Sequence, residues 1–286
     1  MSFTDILGRL FNFADYDQLL PLVQNSLIAG ALLGLLGGFV GIFVIKRDLS
    51  FAVHGISELS FAGASIALLA GIDVVVGSIA GSILAALLIG ALGSKAKDRN
   101  SIIAVLMPFG LGLGILALSM YQGRAANKFG LLTGQIVAVD EPQLLWLVGI
   151  SAAVLIVLAV IWRPLSFASL DPEVAAARGV PTRLLSILFM LLLGLSVAAS
   201  VQVVGALLVL SLLVTPAAAA IRVTSSPALA VTLSVTFAVT SVVGGITLAV
   251  GGGLPVSPYV TTVSFLIYLI CRAIETLRTR MQGVRQ

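Results

Sequence analysis

The only histidine of the chain, His54, stands four places before a glutamate, Glu58, in the stretch 47–63, RDLSFAVHGISELSFAG. In an α-helix, residues i and i+4 share one face, about 6 Å apart along the axis. An imidazole and a carboxylate on one face can pass or hold a divalent metal, relay a proton, or hydrogen-bond to each other between packed helices. If the segment crosses a bilayer, two ionisable groups on one face are costly there, and the default reading is a translocation path or site. The structural alternative, a His–Glu hydrogen bond that ties helices together, is favoured by a shallow depth: Glu58 lies only about three turns past Arg47.

The elements that must position this pair are membrane helices. Of 286 residues, 59% are hydrophobic and 10% charged, with a mean hydropathy of +1.16, whereas a soluble domain averages about 25% charged residues. Each span needs about 20 apolar residues. The chain therefore holds roughly eight to ten spans, with no room for a nucleotide-binding domain, a protease domain or a large ectodomain. The net charge of +4 reflects Lys and Arg collected in cytoplasmic loops rather than a nucleic-acid surface. One cysteine, Cys271, allows no internal disulfide and reads as a small packing residue. The N-terminus has no basic leader and is interrupted by Asp5, Asp15 and Asp17. It does not read as a cleaved signal peptide, and 3–13 is predicted to be a short interfacial amphipathic stretch.

Apolar runs predict an all-α polytopic membrane protein with about nine transmembrane helices, at 20–45, 51–70, 74–92, 102–120, 144–162, 184–203, 206–221, 228–249 and 259–273. Small residues in 30–38, GALLGLLGG, suit close helix packing. Residues 95–100, KAKDRN, read as a charged loop, and Pro108 as a kink in the fourth span. The polar break 121–142 contains FGLLTGQIVAV, apolar enough for a short re-entrant or interfacial helix. Asp73 reads as a helix cap. Gln202 and Gly205 mark a sharp return, with Gln202 a candidate for the outer part of a path. Thr215 and Pro216 break the seventh span, as a path-facing break or as packing alone. Residues 251–258, GGGLPVSP, read as a loop. The predicted organisation is an interfacial segment 1–19, a transmembrane body 20–273 and a basic cytoplasmic tail 274–286. With the N-terminus outside and the C-terminus in the cytoplasm, nearly all Lys and Arg fall inside, leaving only Arg9, Arg124 and Lys128 outside.

Between the fifth and sixth spans lies 163–183, RPLSFASLDPEVAAARGVPTR. Asp171 can cap a helix whose first residue is Pro172, with Glu173 in the first turn, Gly179 as its stop and Pro181 beyond. A two-turn helix over 172–178, outside the membrane, is predicted.

Three stretches carry a family resemblance. VGALLVLSLLVTPAAAAIR, 204–222, is similar to GALLVxALLVxPAAxA. FASLDPEVAAARGVP, 167–181, is similar to FDPExARxxGxP. Residues 46–63 stand where the family has RRMxxxGDALSHxxLxG. From about 20 to 271 the chain resembles the permease family of zinc, manganese and iron ABC importers. Laid back from Gly63, Ser57 falls on the family Ser, Glu58 on the family His and His54 on the family Asp. The family order Asp-x-x-x-His thus becomes His-x-x-x-Glu, with both ligand types kept and their depths exchanged.

The resemblance implies a type II ABC importer permease, a multi-pass protein of the cell membrane that is not an enzyme in its own right. It implies two permeases working with two cytoplasmic ATPase subunits and an extracytoplasmic solute-binding protein. ATP would be bound by the partner chain, consistent with the lack of a GxxxxGK[ST] loop here. No cofactor bound by this chain is expected, only a transported divalent metal. It implies a path that includes His54, Ser57, Glu58, Gln202, Thr215 and Pro216, and a coupling helix carried by Asp171, Pro172, Glu173, Ala176, Arg178 and Gly179, where Glu173 and Arg178 could pair with the ATPase. The competing readings are a permease for a metal chelate or haem, a proton-linked secondary transporter using His54 and Glu58 as a relay, and an assembly factor without transport.

Overall fold

The structure, a computed structural model, describes residues 16–92, 96–123, 130–131, 139–251 and 256–283. The expected interfacial stretch 3–13 and most of the expected re-entrant segment lie outside the described residues. A short helix, α1 (Tyr16–Leu19), and a 3-10 turn (Leu20–Val23) lead into α2 (Gln24–Lys46). The following helices are α3 (Ser50–Ala70), α4 (Val74–Leu92), α5 (Ala96–Met120) and α6 (Glu141–Leu170). The short α7 (Pro172–Ala177) precedes α8 (Thr182–Val204), and a 3-10 turn (Ala206–Leu208) precedes α9 (Val209–Leu213). The series ends with α10 (Thr215–Val223), α11 (Pro227–Val250) and α12 (Val256–Gly283). No strand occurs among the described residues.

Eight of these helices are long and apolar enough to cross a membrane. The expected seventh span is broken at Thr215 and Pro216, as expected, into the 3-10 turn, α9 and α10, and its apolar helical stretch runs only over Val209–Val223, too short to count among the eight. The break falls at Val214, just before Thr215 and Pro216, because proline has no N–H to close the preceding turn. Three other boundaries differ from expectation. The charged 96–100 segment is the first turn and a half of α5 rather than a loop. The fifth span does not stop at Trp162 but runs through Pro164 to Leu170, so the segment between spans is shorter than 163–183. The basic tail continues α12 as helix to Gly283. Helices end where turn formation costs more than continuing, and arginine or lysine does not stop a helix.

Polarity is inverted relative to a water-soluble core. Among the described residues the buried polar side chains are twelve serines and Glu58, while large apolar side chains such as Val105, Ile156, Val160 and Phe265 are exposed. Lipid replaces water as the outer solvent, so the exposed surface is apolar and packing relies on small residues and hydroxyls.

The described residues form two compact units. The first comprises the described residues of 16–42, 139–144, 211–251 and 256–283. Here α2 lies against α11, running antiparallel to it: a Cβ added at Gly34 would stand 2.7 Å from Val239 Cα, and one at Gly38 2.5 Å from Val235 Cα. Glycines one turn apart therefore let the two backbones touch, and Ser234 Oγ donates to the Gly38 carbonyl at 2.9 Å. One turn to the side, Gly37 and Gly41 admit the Leu212 and Leu213 carbonyls beside the Pro216 break. α10, α11 and α12 pack on one another, and Arg222 closes this cluster on Glu275 at 2.7 Å.

The second unit comprises the described residues of 43–92, 96–123, 130–131 and 145–210. Its axis is α3, flanked by α4, α5 and α8. Gly63 meets the backbone of Gly77 and Gly81, and Gly81 also meets the Leu59 carbonyl, so α3 and α4 cross in close contact. Ser60 Oγ and Ser78 Oγ share a proton at 2.7 Å across this crossing. On the other flank, Gly110 and Gly114 of α5 receive the backbone of Glu58 and the ring of Phe61. The Phe43 ring packs edge-on to Trp162 and beside Phe189.

Candidate functional site

α3 begins at Ser50 because Asp48 turns the chain out of α2 with φ 53°, a left-handed conformation that Asp tolerates better than most residues. α3 ends at Gly71, whose φ of 71° caps the helix through the Ala67 and Leu68 carbonyls. Asp73 then opens α4 by accepting from the Val75 N–H at 2.7 Å, as expected. Counted from Ser50, the central residue of this 21-residue helix is Ser60. Glu58 thus lies about 3 Å along the axis from the middle of the span.

His54 and Glu58 meet on one face of α3, with Nε2 and Oε1 3.7 Å apart. The Glu58 side chain is 4% exposed and that of His54 26%. The pair therefore has a buried inner member and an outer member that reaches an open surface. Neither is fully satisfied: Glu58 Oε2 and His54 Nδ1 are buried without a hydrogen-bond partner. A buried carboxylate with a free oxygen is costly in a protein interior, and Glu58 is the only buried carboxylate among the described side chains. Two ligands bound to one ion at about 2.1 Å each stand about 3 to 3.4 Å apart, so a small side-chain movement would bring Nε2 and Oε1 onto one cation. Ser57 Oγ donates to the His54 carbonyl at 2.9 Å, so its hydroxyl is committed to the helix backbone beside the pair. No group of three or more His, Cys, Asp or Glu side chains arranged to hold a metal occurs among the described residues. The pair itself supplies two donor atoms facing each other, His54 Nε2 and Glu58 Oε1.

The other path candidates lie elsewhere. Gln202 Nε2 donates to the Val74 carbonyl at 3.1 Å, tying the end of α8 to the start of α4. That position is at the opposite end of α3 from His54, roughly 18 Å beyond Glu58 along the axis. Thr215 and Pro216 open α10 in the first unit, with Thr215 half-buried and Pro216 buried.

The short helix α7 forms as its sequence demands. Asp171 Oδ1 accepts from the Glu173 and Val174 N–H groups at 3.1 and 3.0 Å, and Pro172 takes the first helical position, where no N–H is needed. Gly179 ends it with φ 82°. The Val180 N–H returns to the Ala175 carbonyl at 3.0 Å. Ala175 alone is buried in 171–179, while Glu173, Val174, Ala176 and Arg178 are exposed. α7 is thus a capped peg standing out from the second unit, with apolar Leu170 and Val174 on its exposed surface.

Two features were not read from the sequence. One is Gly110, which holds the Glu58 backbone; the Gly110–Gly114 spacing of one turn was the available signal. The other is Arg47, whose guanidinium donates to Ser169 and Ser186. No local signal marks contacts between residues more than 120 positions apart.

Comparison with known proteins was made against this geometry. The model of the ABC 3 transport family matches residues 19–275. The manganese transport system membrane protein MntC of Halalkalibacterium halodurans is 32% identical over 238 residues, covering 82% of each chain. The manganese import system permease protein ScaB of Streptococcus pneumoniae is 32% identical, covering 73% of this chain and 74% of that one. Among solved structures, PsaBC from Streptococcus pneumoniae in complex with Fab is 28% identical, with a TM-score of 0.81 over 91% of this chain and 95% of that chain.

Proposed function

The chain belongs to the ABC 3 transport family, with the all-helical permease fold of an ABC importer, and from that premise we propose that it conducts a divalent transition metal across the cell membrane, manganese being the metal named for its relatives. The observation that carries this reading is the His54–Glu58 pair: one nitrogen and one carboxylate donor, 3.7 Å apart near the middle of a membrane helix, each with an unused buried atom. Imidazole and carboxylate together suit manganese, iron and zinc, and the exchanged order of the two ligands along α3 bears on which of them passes. The same exchange keeps a metal chelate as the second reading.

In this reading the body 20–273 forms one half of a path completed by a second copy of the chain. Substrate arrives from an extracytoplasmic binding protein and passes α3 of each copy. A partner ATPase binds α7 through Glu173, Val174 and Arg178, and its closure is transmitted through the capped, rigid peg. The chain is a transport subunit, and ATP hydrolysis belongs to the partner. The N-terminus lies outside and the C-terminus in the cytoplasm, supported by the collection of Lys and Arg on one side.

The test is uptake of radiolabelled manganese, zinc and iron into proteoliposomes holding the chain with its cognate ATPase and binding protein. Loss of uptake in both His54→Ala and Glu58→Ala, with assembly intact, is expected. Normal uptake in both variants sinks the role of the pair, and failure of wild type to move any free metal favours the chelate.

A further inference from the structure

A pocket of about 360 Å³ opens in the second unit where the α2–α3 turn, the start of α5, the end of α6 and the start of α8 converge. Its charged lining is Lys46, Arg47, Arg99 and Asp48. Arg47 is fixed in place: Nη1 donates to Ser169 Oγ at 3.4 Å, Nη2 to Ser186 Oγ at 3.0 Å, and the guanidinium lies 5.6 Å from the centre of the Phe189 ring. All three partners are neutral. Arg99 Nη2 donates to the Asp48 carbonyl at 3.3 Å, while its Nε is buried without a partner. Among the carboxylates whose side chains are described, none lies within ion-pair distance of Lys46, Arg47 or Arg99. The contrast within the same chain is Arg222, whose charge is met by Glu275 at 2.7 Å. Burial, and then the neighbouring Arg99, hold the Arg47 guanidinium below its ordinary range. Two like charges are thus held together by neutral contacts, with donor capacity left over.

We propose that this pocket binds a phosphate-bearing anion, either the headgroup of an anionic phospholipid or a free phosphate, gripped between Arg47 and Arg99. Guanidinium forks match phosphate oxygens, and basic pockets between membrane helices bind lipid headgroups of this kind. The volume admits a phosphate with its first substituents. The lining includes Ser169 and Pro172, so a bound anion would tie the start of α5 and the α2–α3 turn to the base of α7. That consequence for coupling rests on the permease reading; the binding site does not.

Binding is therefore tested without transport, by native mass spectrometry of the full-length chain in detergent. The probes are phosphatidylglycerol, phosphatidylcholine and inorganic phosphate. Wild type is expected to retain phosphatidylglycerol over phosphatidylcholine. Arg99→Gln, which removes a side chain held by a single hydrogen bond, should bind about fivefold more weakly, the effect of about one cation at an anionic surface. Arg47→Gln should do the same where it folds, and Arg183→Gln, on the exposed first turn of α8, should bind as wild type. Phosphatidylglycerol bound without inorganic phosphate identifies a lipid site, and both bound identifies a general phosphate site. Failure of both to bind wild type, or unchanged binding in Arg99→Gln, overturns the proposal. Failure of wild type to take up any free metal, with anion binding intact, would sink the free-metal reading alone.

Discussion

Gly110 and Gly112 stand two residues apart on α5 and separate two effects that usually travel together. A Cβ added at Gly110 would stand 2.8 Å from Leu59 Cδ1, 3.0 Å from the Glu58 carbonyl carbon and 3.1 Å from its oxygen. The leucine methyl can rotate away, but the Glu58 backbone cannot. Ordinary carbon contacts are about 3.5 to 4 Å, so α3 and α5 must part by roughly half an ångström. A Cβ at Gly112 meets nothing within 4 Å. Both Gly→Ala changes gain about 1 kcal/mol of helix propensity, so this gain cancels in the comparison and the difference reports overpacking alone, about 1–3 kcal/mol. At about 2–4 °C per kcal/mol for a chain of this size, Gly110→Ala should unfold roughly 2 to 12 °C below Gly112→Ala in a detergent melt. Because the displaced backbone carries the buried member of the His54–Glu58 pair, metal uptake should also fall. A 1 Å misplacement of a reacting group costs about a hundredfold, so about a tenfold loss is expected for half that distance. Equal melting temperatures and equal uptake for the two variants would refute the claim that α5 holds the pair in place.

Asp171→Ala removes the acceptor for two N–H groups of a six-residue helix and should cost about 1 kcal/mol locally. The expected readout is weaker binding of the cognate ATPase in pull-down titrations, restored by Asp171→Ser. Gly38→Leu places a side chain into the backbone of Val235 and should abolish folded, monodisperse protein in size-exclusion chromatography. The Arg222–Glu275 pair is 28% and 36% exposed, so a double-mutant cycle with Arg222→Gln and Glu275→Gln should give only about 0.5–1 kcal/mol of coupling, shrinking as salt is raised.

The parts of this molecule that the sequence discloses are those set by spacing along one helix. The i, i+4 pairing of His54 and Glu58, the Asp171–Pro172 start and Gly179 stop of α7, and the Pro216 break all depend on residues within a turn or two of one another. Helix ends inside charged segments were harder to read: Arg163 and Pro164 look like a stop, yet α6 passes both, because apolar Leu165 and Ala168 still have a buried face to fill. Which helix meets which was not legible, although the small residues of 30–38 marked a close approach that Gly34 and Gly38 make. The run Gly110–Gly114 could have faced lipid, a cavity or a neighbour, and only the fold shows that Gly110 admits the Glu58 backbone while Gly112 admits nothing. Gln202 shows another use of polarity: its amide donates to the Val74 carbonyl, the kind of helix-to-helix hydrogen bond that apolar surroundings favour. In a membrane core, polarity alone therefore does not mark a path. What separates Glu58 from Gln202 and from the buried serines, of which Ser65 and Ser151 also keep an unpartnered hydroxyl, is that its free oxygen belongs to an ionisable group near the middle of a long apolar helix.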